Sequence, residues 1–464
     1  MVFRSLESED LFHFCARYSH HTMNHFAIRI EQILILLLSI ALLLSHWHTL
    51  KAKIRKLRQV LKVYRPRKWK PRSPSDCPSC KSGISLAILK PNSDVVPYAQ
   101  RKSTRGRKKG LSTQGHACPN PNCDYFGITD QRIHALVGDG KRGIRKHIQY
   151  WKCQGCNKRF TSRLHTPLYY LKSDEGHIIL SLMLLAEGCD ISVLVRCSKH
   201  CEATITRWLE RAGKHSSLLH NRFFRDLVLT FVQMDELYCR VRQTGKMWVW
   251  LAIDPVTKIL PSLHLGHRKN VDAMAFTHDL KLRLKSDCIP AFTTDGLRGY
   301  FYAITAHFGH WFRPERARTD HWQVSENLLY GQLVKRPKRG ASKFAIMRML
   351  WGQRKDLNVI LKLYGFASII QTAFIERVNL TIRGGVAPLM RKTWSLAQNP
   401  EHLLLHVEWW RSYYHFIRPH ESLSVLIPGL RKHRQRSPAQ AANLTNRLWS
   451  VEEVLKLPLA PAFS

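Results

Sequence analysis

Between residues 228 and 296 short apolar runs stop on aspartates, and this pattern limits what the chain can fold into. Val228 to Met234 is mostly apolar and stops at Asp235; Met247 to Ile253 is bulky and apolar and stops at Asp254; Ile289 to Thr294 stops at Asp295. Short runs of this kind, bounded by turn formers, read as buried strands. Pro255 and Thr257 suit a turn, Ile259 to Leu265 reads as a further strand, and Asn270 to Leu284 has helical spacing. The order strand, strand, strand, helix, strand predicts an α/β domain, with a mixed sheet flanked by helices.

Acids are scarce in this chain, which makes those at strand ends stand out. Its 464 residues hold 73 Lys and Arg against 33 Asp and Glu, a formal charge of +40. Such self-repulsion suits a protein whose partner is a polyanion, nucleic acid first and an anionic membrane second; a small-molecule substrate does not call for it. If the strands ending at Asp235 and Asp295 are neighbours, the two carboxylates meet at one end of the sheet. Glu376 falls on a predicted helix within Ile369 to Leu389 that is able to cross that end. Three carboxylates at one point repel unless a divalent cation sits among them. Two Mg2+ (or Mn2+) held this way suit phosphoryl transfer.

Other acids compete for these roles. Asp254 precedes Pro-Val-Thr-Lys and reads as a turn cap. Glu236, next to Asp235, is expected to face the opposite side of the strand. Glu326, Glu401 and Glu408 compete with Glu376 for the third position. Glu376 is preferred because Arg377, Asn379 and Arg383 share its helix and are placed to contact phosphates.

The cysteines point to a second metal. Cys118-Pro-Asn-Pro-Asn-Cys123 and Cys153-Gln-Gly-Cys156 are close pairs separated by a 29-residue gap. Pairs of this kind converge in zinc ribbons, with Tyr150, Trp151 and Phe160 supplying the little core the module has. Cys77/Cys80 is a further pair that either completes a site with Cys118/Cys123 or binds nothing. Cys15, Cys189, Cys197, Cys201, Cys239 and Cys288 read as buried free thiols. Paired cysteines of this type favour a reducing compartment over a disulfide framework.

Three helices are expected next: one around Ile178, Leu182 and Leu185 that Gly188 stops, Ile191 to Cys197, and Glu202 to Ala212, ended by Gly213. The last two have the layout of a helix-turn-helix, with Thr204 and Arg207 facing a groove. Basic runs at 101–109, which includes Arg105 and Arg107, and at 313–355, which includes Lys335 and Arg336, are expected to touch DNA backbone. The apolar run Ile33–Leu44 is 12 residues long, short of the ~20 of a spanning helix. It reads as a docking helix or as sequence upstream of the true start, in preference to a membrane anchor, so a cytoplasmic protein is expected. The domain reading is 1–50, hydrophobic segment; 51–165, basic and zinc-ribbon region; 166–222, helix-turn-helix region; 223–428, catalytic domain with the basic insert 313–355; and 429–464, basic tail.

Taken together, Met234-Asp-Glu-Leu237, Trp248-Val-Trp-Leu-Ala-Ile-Asp254, Thr293-Thr-Asp-Gly296 and Phe374-Ile-Glu-Arg-Val-Asn-Leu380 resemble the blocks of bacterial insertion-sequence transposases of the DDE class. Tyr413-Tyr-His-Phe-Ile-Arg-Pro-His-Glu-Ser-Leu423 is similar to a block that ends many such domains. The resemblance spans residues ~77–440. It implies a ribonuclease-H-like catalytic domain behind a zinc ribbon and a helix-turn-helix, with Asp235, Asp295 and Glu376 as the triad that binds two Mg2+. It implies strand cleavage by water at transposon ends, then attack of the freed 3′-hydroxyl on a target duplex, by a homo-oligomer on DNA, near the nucleoid. The alternatives from other classes are a decayed or regulatory DNA-binding protein and a ribonuclease-H-like nuclease without strand transfer.

Overall fold

The computed structural model describes residues 95–101, 110–143, 148–315, 319–338, 341–366, 372–427 and 433–459, all within the unit Pro71–Ser464. Ile33–Leu44, the Cys77/Cys80 pair, Cys15, Arg105 and Arg107 lie outside these residues. Strands β1 (Leu136–Arg142), β2 (Ile148–Cys153) and β3 (Arg159–Thr161) form a small antiparallel sheet in that order. Trp151 and Phe160 are buried there with Tyr125, Leu136 and three of the paired cysteines, a core too small to hold a fold by itself.

Helices α1 (Glu175–Ala186), α2 (Ile191–Ser198) and α3 (Glu202–Phe223) follow. Asp174 caps α1 by accepting from the N–H groups of Gly176 and His177 (2.9 and 3.3 Å). Ile178, Leu182, Leu185 and Ala186 bury its inner face, as their spacing predicts. Gly213 does not end α3, which runs ten residues further. A Cβ at Gly213 would overlap the carbonyl of Leu405, so the glycine lets two helices approach closely.

The main sheet begins with β4 (Phe231–Val241), β5 (Gly245–Ile253) and β6 (Leu263–Gly266). Then come α4 (Asn270–Arg283), β7 (Ala291–Thr294), α5 (Arg298–His307), β8 (Gly309–Phe312), β9 (His321–Val324), β10 (Tyr330–Lys338) and β11 (Ala341–Trp351). The chain closes with α6 (Arg354–Leu363), α7 (Ala373–Gly385), α8 (Pro400–Ser412) running into a π-helical turn at Tyr413–Ile417, β12 (His420–Leu426), β13 (His433–Arg436), α9 (Pro438–Ala441) and α10 (Val451–Lys456). Six strands pair in the order β11-β10-β7-β4-β5-β6. β4, β5 and β6 are antiparallel neighbours, β7 and β10 run parallel to β4, and β11 returns antiparallel.

This is a mixed α/β fold with helices on both faces, compatible with the ribonuclease-H-like expectation. Val232 and Met234 of β4 pack with α1, α3, α4 and α5 on one face. Leu237, Cys239 and Val241 pack with α7 and α8 on the other. Three sequence expectations change. Asp235 does not close the first strand: β4 runs six residues further, to Val241, and Asp235 pairs there with Leu251 of β5. The paired part of the third strand is only Leu263–Gly266, because the carbonyls of Leu260 and Pro261 are taken by the Arg411 guanidinium of α8 and not by a strand (2.6–3.0 Å). The basic segment 313–355 is not an insert apart from the sheet: it supplies β10 and β11, with Tyr330 and Gln332 buried. The C-terminal residues also fold back, burying Val451, Val454 and Leu455 in the large core. Among the described residues no helix is long and apolar enough to cross a membrane.

Candidate active site and metal centres

Parallel pairing sets Met234 of β4 opposite Thr294 of β7. The next residue on each chain is an aspartate, so Asp235 and Asp295 come side by side. Gln233, buried on β4, accepts from the N–H of Ile375 at the start of α7 (3.2 Å). Two residues on, Asp235 Oδ2 accepts from Asn379 Nδ2 (2.8 Å). These two contacts pin α7 across the sheet end, and one helix turn before Asn379 stands Glu376. Asp235, Asp295 and Glu376 thus line one cavity of about 600 Å³, with Arg268, Arg298, Gly296 and Thr372 in its wall.

Each acid has one oxygen held by a protein donor. Besides Asn379 on Asp235, the Leu297 N–H donates to Asp295 Oδ1 (2.9 Å) and the Thr372 hydroxyl to Glu376 Oε1 (3.0 Å). Glu236 obeys the same rule, with the buried Tyr300 hydroxyl on its Oε2 (3.0 Å). That contact comes from α5, on the face opposite Asn379, as strand alternation requires. The expectation that Glu236 stands apart nevertheless fails. Its carboxylate joins the other two just past the end of β7, where ligand oxygens of Asp235, Glu236 and Asp295 lie within 4.8 Å of one another. Glu376 shares the cavity but stands outside that tight trio. Arg268, in the loop after β6, bonds Glu236 and reaches Asp295 Oδ2 at 3.5 Å.

The electrostatics are those of surplus negative charge. Burial, then the neighbouring Asp295, push Asp235 up from 3.8 to about 6. Burial and Asp295 likewise push Glu236 up from 4.5 to about 7, against the pull of Arg268. Oxygens bound to one divalent cation at ~2.1–2.4 Å lie up to roughly 4.2–4.8 Å apart, so the trio has the reach and charge for one. The Asn379 Oδ1 is buried without a hydrogen-bond partner beside it, a further sign of polar capacity that the protein does not fill.

The other predicted ligands also converge. Sγ atoms of Cys118, Cys123, Cys153 and Cys156 all lie within 4.8 Å of one another, with Cys118–Cys156 at 3.5 Å and Cys123–Cys153 at 3.8 Å. These are free thiols, not disulfides. Tetrahedral zinc with bonds of ~2.3 Å sets its sulfurs ~3.8 Å apart, so the four fit one ion. The hydrogen bond from Cys118 lowers the Cys153 thiol from its ordinary value. Of the remaining cysteines, Cys239 and Cys288 are buried and Cys189 is half-buried; Cys197 and Cys201 are exposed, against expectation.

The residues expected on DNA divide. Arg207 is exposed near the start of α3, and Thr204 is half-buried with its hydroxyl 3.1 Å from the Cys201 thiol. Arg377 is exposed on α7 beside Glu376. Arg383 is committed elsewhere: its guanidinium donates to the carbonyls of Leu389 (2.9 Å) and Tyr238 (3.2 Å), so it ties α7 to β4. Asn379 serves Asp235 and is not turned to a phosphate. Lys335 and Arg336 have their backbones in β10, and their side chains lie outside the described residues. Asp254 is buried and accepts from Val256 N–H, Thr257 N–H and the Thr257 hydroxyl, the turn cap expected of it. Glu326 and Glu401 are exposed, and Glu408 is buried in an ion pair with Arg411 and does not line the cavity.

Sequence reasoning missed Glu236, Arg268, Gln233, Tyr300 and Thr372. One signal was visible: Gln233 is a polar residue inside an otherwise apolar strand run. No protein-family model matches the chain, and no curated protein matches it.

Proposed function

We propose that this protein is a DNA transposase of the DDE class, which cuts at the ends of a mobile element and joins the freed 3′-hydroxyl to target DNA. The convergence of Asp235, Asp295 and Glu376 in one open cavity carries this reading. Three antiparallel strands followed by two parallel ones, with a helix closing the acidic end, support a ribonuclease-H-like domain. The carboxylates of Asp235, Glu236 and Asp295 would hold the divalent cations, with Glu376 on the far wall. Such cations activate an attacking oxygen and stabilise the leaving one in phosphodiester chemistry. The chain's own residues orient the ligands: Asn379 fixes Asp235, the Leu297 N–H fixes Asp295, and Thr372 fixes Glu376. Arg377 offers a phosphate contact beside them.

In this reading Cys118, Cys123, Cys153 and Cys156 hold a structural zinc, and α2 and α3 form the helix-turn-helix that binds the terminal repeats through Arg207 and Thr204. The +40 charge favours a nucleic-acid partner. The protein works as a homo-oligomer on DNA, since two ends must be joined in one complex.

The test is purified full-length protein with Mg2+, a duplex carrying the inverted repeats that flank the gene, and a target plasmid. Nicked ends and joined products are expected. Binding without nicking would make it a regulatory or decayed DNA-binding protein. Nicking without joining would make it a nuclease. Metal analysis is expected to find one zinc per chain, lost on Cys153→Ser.

A further inference from the structure

Arg268 stands where a cation is wanted. It lies between β6 and α4, in a loop whose base is fixed by the buried Trp250 indole donating to the His267 carbonyl (3.3 Å). Its guanidinium bonds Glu236 Oε1 and faces Asp295 Oδ2 at 3.5 Å, while Tyr300 and the Leu297 N–H hold the other oxygen of each acid. Arg268 therefore engages the two oxygens that the scaffold leaves turned inward, on two of the three carboxylates close enough to share a divalent cation. A guanidinium that spans Glu236 and Asp295 stands in the space a shared divalent cation would take, and the two positive charges repel. The side chain is also 44% exposed, so it has a route outward, whereas Glu236, at 3% exposed, has none.

We propose that Arg268 is an internal counter-ion that a divalent cation must displace, and that a DNA phosphodiester receives the displaced guanidinium. This rests on the reading of the carboxylates as a divalent-cation site. With no cation present, Arg268 keeps the acids together. When a backbone phosphate draws the guanidinium out, the oxygens are freed for the cation, and the cation in turn leaves Arg268 free for phosphate. Metal and DNA then bind with positive coupling, equal in both directions. Arg268 is a positioning residue in this scheme and acts on the cation site through its own departure.

The test is calorimetric titration of the full-length, zinc-loaded protein with Mn2+, without DNA and then with a short duplex. Removing the competitor, Arg268→Gln, is expected to tighten Mn2+ binding in the DNA-free protein by about two- to five-fold, the worth of a partly exposed ion pair. Arg268→Lys, whose single ammonium cannot bridge two carboxylates as a guanidinium does, is expected to fall between, and it keeps the test open if the Gln variant folds poorly. Duplex is expected to tighten Mn2+ binding to the wild type and to do so much less in Arg268→Gln. A purely structural arginine would give the reverse, with weaker metal binding in both variants. Unchanged or weaker Mn2+ affinity in the DNA-free variants, where the wild type binds Mn2+, would overturn the counter-ion role alone. A wild type and an Arg268→Gln variant that both bind no Mn2+, with or without duplex, would overturn the cation site with it.

Discussion

Two clusters of ionisable side chains sit in the same fold, and they differ in how far the protein has satisfied them. Behind the sheet, Leu260 N–H donates to His415 Nε2 (2.9 Å). That fixes the proton of His415 on Nδ1, which faces His220 Nε2 (3.1 Å) and leaves the His220 Nδ1–H for Glu408 (2.9 Å). Glu408 also takes Arg411, whose other donors reach the carbonyls of Leu260 and Pro261. Every proton in this relay has an acceptor, and the Glu408 carboxyl is held down to about 2: the Arg411 charge, then His220, outweigh the cost of burial. At the sheet end the opposite holds. Four acids face one bonded arginine, two of them are pushed up, and an amide oxygen has no partner. A closed network rigidifies a fold, whereas a deficit of positive charge is what a cation site looks like before its cation.

Loss of function separates the clusters most sharply. Asp295→Ala is expected to lower Mg2+-dependent cleavage at least about a thousandfold, ~4 kcal/mol of transition-state stabilisation, with DNA binding kept and no loss of stability. A gel assay with equal DNA occupancy checks it, and retained cleavage would move the chemistry elsewhere. Glu408→Ala is expected to do the converse. Leaving Arg411 and His220 buried without their carboxylate costs about 3–5 kcal/mol of stability, read in denaturant melts, while the folded fraction keeps its Mn2+ affinity.

Acid pulls the clusters in opposite directions. Burial lowers His215, His220, His307 and His406 to about 4 from 6.5, and His415 well below 6.5. Between these values the unfolded chain binds protons that the native state refuses, so their stabilising effect is full above about 6.5 and is lost as pH falls toward 4. Asp235 and Glu236, raised to about 6 and about 7, bind protons in the native state first. Their penalty is full above pH 7, starts to lift as pH falls through 7 and 6, and is gone only near pH 4, where the unfolded chain binds the same protons. Five histidines outweigh two carboxylates, so Mg2+-free protein is expected to lose stability steadily from pH 6.5 to pH 4.5. Thermal melts across that range check it, and a flat profile would mean that the histidines are not buried as neutral groups.

The sequence showed Asp235 and Asp295 because an apolar run stops at each, but only Asp295 ends its strand: β4 runs on to Val241, with Asp235 paired opposite Leu251 of β5 in its middle. Cys118, Cys123, Cys153 and Cys156 were legible by the same logic of spacing. What alternation could not show was the reach of a longer side chain: it placed the Cβ of Glu236 correctly and missed that its carboxylate joins those of Asp235 and Asp295. It missed β10 and β11 because Lys335, Arg336, Lys338 and Lys343 made the segment read as a basic insert on DNA backbone, whereas a hairpin at the sheet edge tolerates such residues. Gly213 was taken as a helix end because glycine also marks contact between helices, and only the position of Leu405 distinguishes the two. Arg268 carries no local signal, since its role arises from two acids 27 and 32 residues distant in the chain.

The smallest effect is the most direct test of the unfilled cluster. Asp235→Asn removes one negative charge while keeping the side-chain volume and an oxygen that can accept from Asn379. If the acids are mutually strained without a cation, the variant must be more stable than the wild type in Mg2+-free buffer, by about 1–2 kcal/mol at pH 7.5, where Asp235 would otherwise be ionised. Adding Mg2+ stabilises the wild type but little of the variant, so their melting curves should converge or cross as Mg2+ rises. In the relay no such gain is available, because Glu408→Gln trades an ion pair for a neutral amide beside a buried guanidinium and can only lose. A stabilised Asp235→Asn with a destabilised Glu408→Gln would assign unsatisfied charge to the sheet end alone. Two destabilised variants would mean that Asp235 is held as tightly as Glu408 and waits for no cation.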